Sequence, residues 1–145
     1  MTRINVIPVE ILKNDHLLAE YRELPRIFTA IYKKIEQDQA FEQITKDIPD
    51  SYKLGSGHVT FFYNKLRYLY KRYTNLIDEL HKRGYDLDIN IYKSVLRQYI
   101  NCLDNSELFL QLNNDYQPDH AAIYLNMARL AKRSNIEQVL KELNS

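Results

Sequence analysis

The sequence predicts an all-α protein, a single domain over residues 1–145 with one compact core, and three observations carry that expectation. Apolar residues recur at three- and four-residue spacing over several long stretches. Only three glycines and four prolines occur, which leaves little turn chemistry for a many-stranded β fold. The 145 residues, 45% apolar and 27% charged, are one domain's worth of ordinary folded chain and enough to bury a substantial core.

The first helix is expected from about Asn14 to Gln39. At about 100° per residue, Leu17, Tyr21, Leu24, Phe28, Ile31 and Tyr32 fall on one apolar face. Pro25 lies inside that pattern and cannot donate a hydrogen bond, so the spacing predicts a kink there rather than two helices. Asp50, Ser51, Gly55 and Gly57 mark a loop. A second helix is expected from about Val59 to Arg83, on Val59, Phe62, Leu66, Leu69, Tyr73, Leu76, Ile77 and Leu80. Lys82 and Arg83 suit its C-terminal dipole, and Gly84 follows in the usual stop position. Residues 90–112 carry a further, shorter helical pattern (Ile91, Val95, Leu96, Tyr99, Ile100, Leu103). Pro118 can open the next helix, with Ile123, Met127 and Leu130 as a buried stripe and Ala121 and Ala128 small enough for close packing. Ser134 reads as a cap for a short terminal helix through Leu143, whose Ile136, Val139, Leu140 and Leu143 form a docking stripe.

Charge is uneven although the net value is +1. Between Lys65 and Arg83 six basic residues stand against two acids, Asp78 and Glu79. Residues 84–119 hold Asp86, Asp88, Asp104, Glu107, Asp115 and Asp119 against Lys93 and Arg97. Basic and acidic sectors are therefore expected, and an average charge hides a binding face. The single cysteine, Cys102, excludes an intrachain disulfide and a Cys-rich zinc site, and a reducing, cytoplasmic setting is the natural reading. The apolar runs are too short for a membrane span, and the N-terminus lacks the pattern of a secretory leader.

Chemistry is sparse. There is no glycine-rich phosphate loop, no serine in a nucleophile-elbow context, and no His/Glu spacing that suits a metal. What remains is the polar face of the first helix. His16, Arg22, Glu23 and Arg26 fall within roughly 120° of one another, opposite the apolar face. Glu23 and Arg26, three apart, can pair. A solvated, salt-bridged surface explains this spacing as well as an active site does. The tyrosines at 63, 68, 70 and 73 suit base stacking on paper, but tyrosines at helical spacing are more often core or its rim.

Three runs have identities that periodicity does not explain: "MTRIN" at the terminus, "HLLAEYRELPRIF" at 16–28 and "GHVTFFYNKL" at 57–66, with "DYQPDHAAIYLNMARLAKR" at 115–133 as a fourth. They resemble the phage-type endonuclease V family, pyrimidine-dimer DNA glycosylases with abasic-site lyase activity. The resemblance implies an all-α fold of three main helices with additional short ones, no metal or other cofactor, and action as a monomer on double-stranded damaged DNA, nucleoid or viral. It implies that the nucleophile is the α-amine of Thr2, exposed on removal of Met1, with Glu23 as the essential carboxylate. It implies DNA contacts from Arg3, His16, Arg22, Arg26 and Arg129, with Arg133 where a second basic contact is expected. The chain ends in "SNIEQVLKELNS" and lacks the family's aromatic tail, so that end is expected to be structural. Two other readings stand beside this one: a family lyase or glycosylase for a different damaged base, and a non-catalytic DNA-binding protein that keeps only the basic face. The pairing of a removable Met1 before Thr2 with Glu23 favours catalysis, since phosphate binding needs neither.

Overall fold

The computed structural model describes the backbone of residues 1–143 and the side chains of residues 1–131. The described residues form α1 (Asn14–Glu23), α2 (Pro25–Glu36), α3 (Phe41–Thr45), α4 (Leu66–Lys82), α5 (Ile89–Asn105), α6 (Glu107–Leu112) and α7 (His120–Leu143), with 3-10 turns at Val9–Ile11 and Thr60–Phe62. The fold is all-α.

The predicted first helix is present and bent at Pro25. Leu24 keeps helical angles (φ −56°, ψ −42°) and its N–H still reaches the Glu20 carbonyl at 2.9 Å, so α1 runs into α2. The proline lacks the donor that would continue the ladder, and the axis turns there. Leu17, Tyr21, Leu24, Phe28, Ile31 and Tyr32 are all buried, as the apolar spacing requires. The centre of the fold is α1 against α4, where the Tyr21 and Tyr73 rings stack in parallel planes with centroids 5.5 Å apart. Tyr73 is buried, and Tyr63, Tyr68 and Tyr70 are half-buried against the core, so the tyrosines are core and rim.

Three expected boundaries are corrected. The second helix begins at Leu66 rather than Val59, because Lys65 (φ −128°, ψ 44°) interrupts the helical backbone. Ahead of it a 3-10 turn buries the adjacent rings of Phe61 and Phe62 edge to face, and Lys65 Nζ donates to the Phe61 carbonyl at 2.8 Å. The 90–112 pattern is two helices, since Ser106 is extended and its hydroxyl accepts from Phe109 N–H at 3.1 Å, capping α6. The last helix is continuous through Ser134; no glycine or proline occurs between Asp119 and Leu143 to stop it. Its start is capped by Asp119, which accepts from Ala122 N–H at 2.8 Å. The end of α4 matches expectation: Gly84 sits at φ 88°, its N–H bonds the His81 carbonyl, and Tyr85 N–H bonds the Leu80 carbonyl, each at 3.0 Å.

The inward face of α7 also differs. Met127 is 50% exposed and Ala121 and Ala128 are exposed, while Ala122 and Asn126 are buried. Ile123 and Leu130 are only partly covered. The helix is rotated from the apolar solution because Asn126 is drawn into a polar network described next. Arg133 and the stripe from Ile136 to Leu143 lie outside the described side chains.

Candidate active site

Residues 1–8 form no helix or strand, yet their polar groups are tied down one after another. Arg3 N–H donates to Glu23 Oε1 at 2.9 Å. Ile4 N–H donates to His58 Nε2 at 2.9 Å, and the Ile4 carbonyl accepts from the Tyr52 hydroxyl at 3.0 Å. Val6 N–H donates to Asn126 Oδ1 at 2.6 Å, and the Ile7 carbonyl accepts from Arg72 Nη1 at 2.6 Å. Apolar side chains alternate with this grip: Ile4, Val6 and Ile7 are buried, while Met1 and Arg3 are exposed. A segment with no ladder of its own must satisfy its backbone groups with side chains, and here five side chains, from α1, α4, α7 and the loop before Thr60, supply them.

Asn5 is the hub of the buried polar layer beneath. Its Nδ2 donates to Glu20 Oε1 at 2.8 Å, and its Oδ1 accepts from Asn126 Nδ2 at 2.8 Å and from Arg129 Nη2 at 2.6 Å. Glu20 in turn is clasped by Arg72, Nε to Oε2 at 2.5 Å and Nη2 to Oε1 at 3.0 Å. Glu20 and Arg72 are 1% and 7% exposed on their side chains. Burial alone would lower the pKa of Arg72, but the Glu20 carboxylate outweighs it and the guanidinium is held more firmly charged than usual. His58 has its ring oriented by both nitrogens, since Nδ1 lies 2.8 Å from the Lys53 carbonyl. A carbonyl can only accept, so Nδ1 carries the proton and Nε2 is the acceptor for Ile4. Burial lowers the His58 pKa most, the Lys53 carbonyl offsets part of that, and Arg129 and Arg3 lower it further.

This frame leaves a cleft of about 260 Å³ open above Asn5 and Glu20, lined also by Met1, Arg3, His16, Ala19, Glu23 and Arg129. A second cavity of about 350 Å³ lies on the other side of the terminal segment, between Thr2 and the Leu54–Val59 loop. Met1, Arg3 and Arg129 border both. Of the residues singled out in the sequence, Glu23, Arg3, His16 and Arg129 thus converge on the cleft, and Thr2 is half-buried next to it. Arg22 and Arg26 do not line it; both are exposed on the outer surface of α1 and α2. Among the described residues Glu23 makes no ion pair with Arg26, and its Oε1 accepts from the Arg3 amide. Thr2 nitrogen is an amide while Met1 precedes it, and Met1 is 86% exposed.

Half of the basic residues at 65–83 are engaged in ion pairs within the fold, while Arg67 and Lys82 are exposed. Arg72 is buried on Glu20, Lys71 bridges to Asp115 at 2.5 Å, and Arg83 bridges to Glu79 at 3.0 Å. Arg83 also donates to the Leu12 carbonyl at 2.7 Å and to Asn14 Oδ1 at 2.9 Å, so it fastens the start of α1 to the end of α4. Among the described residues no group of three or more His, Cys, Asp or Glu could hold a metal ion, and no helix is long and apolar enough to cross a membrane.

Asn5, Glu20, His58, Arg72 and Asn126 were not picked out from the sequence. Two of them carry a legible signal. Glu20 occupies the turn between Leu17 and Leu24, and Arg72 the turn between Leu69 and Leu76, so each puts a charge at a core position of its helix. Opposite charges placed so are a buried pair awaiting a partner.

A family model described as pyrimidine dimer DNA glycosylase matches residues 1–93 of the chain. That span contains the terminal segment, Glu23 and His58, and stops short of α7, which supplies Asn126 and Arg129.

Proposed function

The chain belongs to the pyrimidine dimer DNA glycosylase family, and from that premise we propose that it excises cyclobutane pyrimidine dimers from double-stranded DNA and then cuts the strand as an abasic-site lyase, with the Thr2 α-amine as nucleophile. The observation that carries this reading is the 2.9 Å bond from Arg3 N–H to Glu23 Oε1. It holds a carboxylate one residue from the nitrogen that removal of Met1 would free, at the mouth of a cleft edged by two arginines. A phosphate-binding surface has no use for an acid in that position.

The chemistry follows from the groups. A free α-amine has an ordinary pKa of about 7.7–8.0, so a usable fraction is neutral near pH 7. Its lone pair attacks C1′ of the damaged nucleotide while the C1′–N bond breaks and its electrons leave with the base. Loss of one proton from the nitrogen, and opening of the sugar ring as C1′–O4′ breaks and O4′ takes up a proton, give an iminium between Thr2 nitrogen and C1′ that keeps one N–H. Glu23 stabilises the cationic sugar and relays the protons. Loss of a C2′ proton then expels the 3′ phosphate by β-elimination, and water releases the sugar remnant and restores the amine. Arg3, His16 and Arg129 on the cleft hold phosphates beside the reacting sugar. Arg22 and Arg26, facing outward, and Arg133 on α7 hold the flanking duplex, whose target nucleotide must leave the stack to be reached. The whole chain acts as one unit and as a monomer.

The test is borohydride reduction on an abasic duplex and on a duplex with one defined dimer. A protein beginning at Thr2 should be trapped as a covalent adduct through its terminal nitrogen on both. A preparation that retains Met1, or is acetylated at the terminus, should trap poorly; equal trapping by the blocked protein would remove Thr2 as nucleophile.

A further inference from the structure

The imidazole of His58 holds the backbone of Ile4, two residues along the chain from the proposed nucleophile. Its place is specific. It lies between the terminal segment and the Lys53–Gly57 loop and bonds both, through Ile4 N–H at 2.9 Å and the Lys53 carbonyl at 2.8 Å. The ring is 5% exposed and fixed edge-on by Tyr52 at 5.4 Å and Phe62 at 5.8 Å between centroids. Tyr52 meets the same residue from the other side, its hydroxyl on the Ile4 carbonyl. Ile4 is thus gripped at both backbone groups, and His58 supplies the only one of the two grips that a proton can abolish near neutrality.

We propose that His58 is a positioning residue for the terminal amine, and that the terminal segment is registered for reaction only while this imidazole is neutral. The argument is one of donors and acceptors. With Nδ1–H committed to the Lys53 carbonyl, Nε2 is a lone-pair acceptor for Ile4 N–H. A second proton puts two N–H groups head to head, so the Ile4 amide loses its partner and the segment is released from its inner end. Thr2 is then placed through one contact instead of two, because between it and Ile4 there is only Arg3, whose amide bond to Glu23 remains. The loop moves with the same proton: Leu54, Gly55, His58 and Val59 form the wall of the cavity that Thr2 faces.

The groups around the ring set the direction of the effect. Arg3 on the terminal segment and Arg129 on α7 oppose protonation; Glu20 on α1 favours it; the Lys53 carbonyl and the Tyr52 hydroxyl complete the polar surroundings. Burial and the two guanidiniums prevail, so the neutral ring is the resting state at physiological pH, and the release is an acid-side event. Bound DNA phosphates would partly screen Arg3 and Arg129 and so bring the two states closer together.

This rests on the Thr2 reading for its consequence but not for its primary measurement. Amide exchange of Ile4, corrected for its intrinsic pH dependence, is followed by NMR alongside the His58 imidazole nitrogen shifts. The neutral ring should show Nδ1 protonated and Nε2 bare. Opening at Ile4 should rise about tenfold for each pH unit below the onset of His58 protonation, while amides in the middle of α4 stay protected. His58→Gln, which can place an acceptor oxygen near the Nε2 position but does not titrate, should flatten that dependence. Its borohydride trapping rate on an abasic duplex should fall off with acid one proton less steeply than the wild type's. An Ile4 amide whose opening ignores the His58 titration overturns the proposal, as does His58→Gln with an unchanged trapping profile. The wild-type exchange measurement decides the matter even where the variant fails to fold. A protein that traps no adduct at any pH, yet couples Ile4 to His58, refutes the Thr2 chemistry and leaves the positioning intact.

Discussion

Replacing Arg72 by methionine should be the most damaging single change in the layer under the cleft. The guanidinium makes two bonds to Glu20 and one to the Ile7 carbonyl, all out of water. Arg72→Met fills much of the same space but strands the Glu20 carboxylate, 1% exposed, with Asn5 as its remaining partner. Breaking a buried ion pair from one side costs about 3–5 kcal/mol, and the orphaned Ile7 carbonyl adds about 1 kcal/mol. Against the roughly 5–15 kcal/mol that holds a domain together, this is a large fraction. The midpoint of thermal unfolding should drop by about 13–20 °C. Urea unfolding followed by far-ultraviolet circular dichroism should show a lower midpoint with an unchanged slope, since the surface exposed on unfolding is the same. The double variant Glu20→Leu/Arg72→Met removes both charges together and should recover most of the loss. It should stay somewhat below the wild type, because Asn5 Nδ2 and the Ile7 carbonyl still lack partners. A single variant that loses less than about 1 kcal/mol, or a double variant no better than the single, would refute the claim that this pair is a desolvated clasp.

Glu23→Gln keeps the size of the side chain and an acceptor for Arg3 N–H, so damaged-duplex affinity should persist while turnover falls by at least about a hundredfold; gel-shift and single-turnover cleavage separate the two. Arg22→Ala and Arg26→Ala, both at exposed positions, should leave stability within about 0.5 kcal/mol and reduce the salt dependence of DNA binding by up to about one unit of log–log slope each, read by titration at several salt concentrations. Tyr32 is buried with no hydrogen-bond partner for its hydroxyl among the described residues, and burial pushes its pKa well up; Tyr32→Phe should be neutral or stabilising by up to about 1 kcal/mol in urea unfolding. Because the folded pKa of His58 is lowered, the unfolded chain takes up the proton first, so its contribution to stability is complete above about pH 6.5 and is lost as pH falls through the folded value; a His58→Gln protein should show a shallower acid loss of stability in the same titration.

Apolar spacing located the helices well wherever one face is buried against the core. The Leu17-to-Tyr32 stripe and the Leu66-to-Leu80 stripe both lie where the period puts them. It failed at Lys65 and Ser106, where one residue leaves helical angles and neighbouring apolar residues carry the pattern across the break. It failed on α7 because the inward residue there is Asn126, held by hydrogen bonds that no hydropathy pattern encodes. The site divided in the same way. Residues with a motif, Arg3, His16, Glu23 and Arg129, were legible and share the cleft. The residues that aim the terminal segment were not, since His58 and Asn126 act on backbone groups brought near by folding, 54 and 120 positions away in the chain.

The bond between Val6 and Asn126 spans 120 residues, and that separation sets an order of events during synthesis. Chains grow at about 5–20 residues per second, so the terminal segment leaves the ribosome roughly ten seconds before its last holder is made. Through that interval the helices of the first half can pair with one another, while the extreme terminus stays open to the enzyme that removes initiator methionine. Closing so long a loop has an entropic cost that only a finished α7 offsets. The terminal segment is therefore joined to α7 late, and if Thr2 is the nucleophile as proposed, a nascent chain halted ahead of Asn126 would carry a processed amine without a registered one.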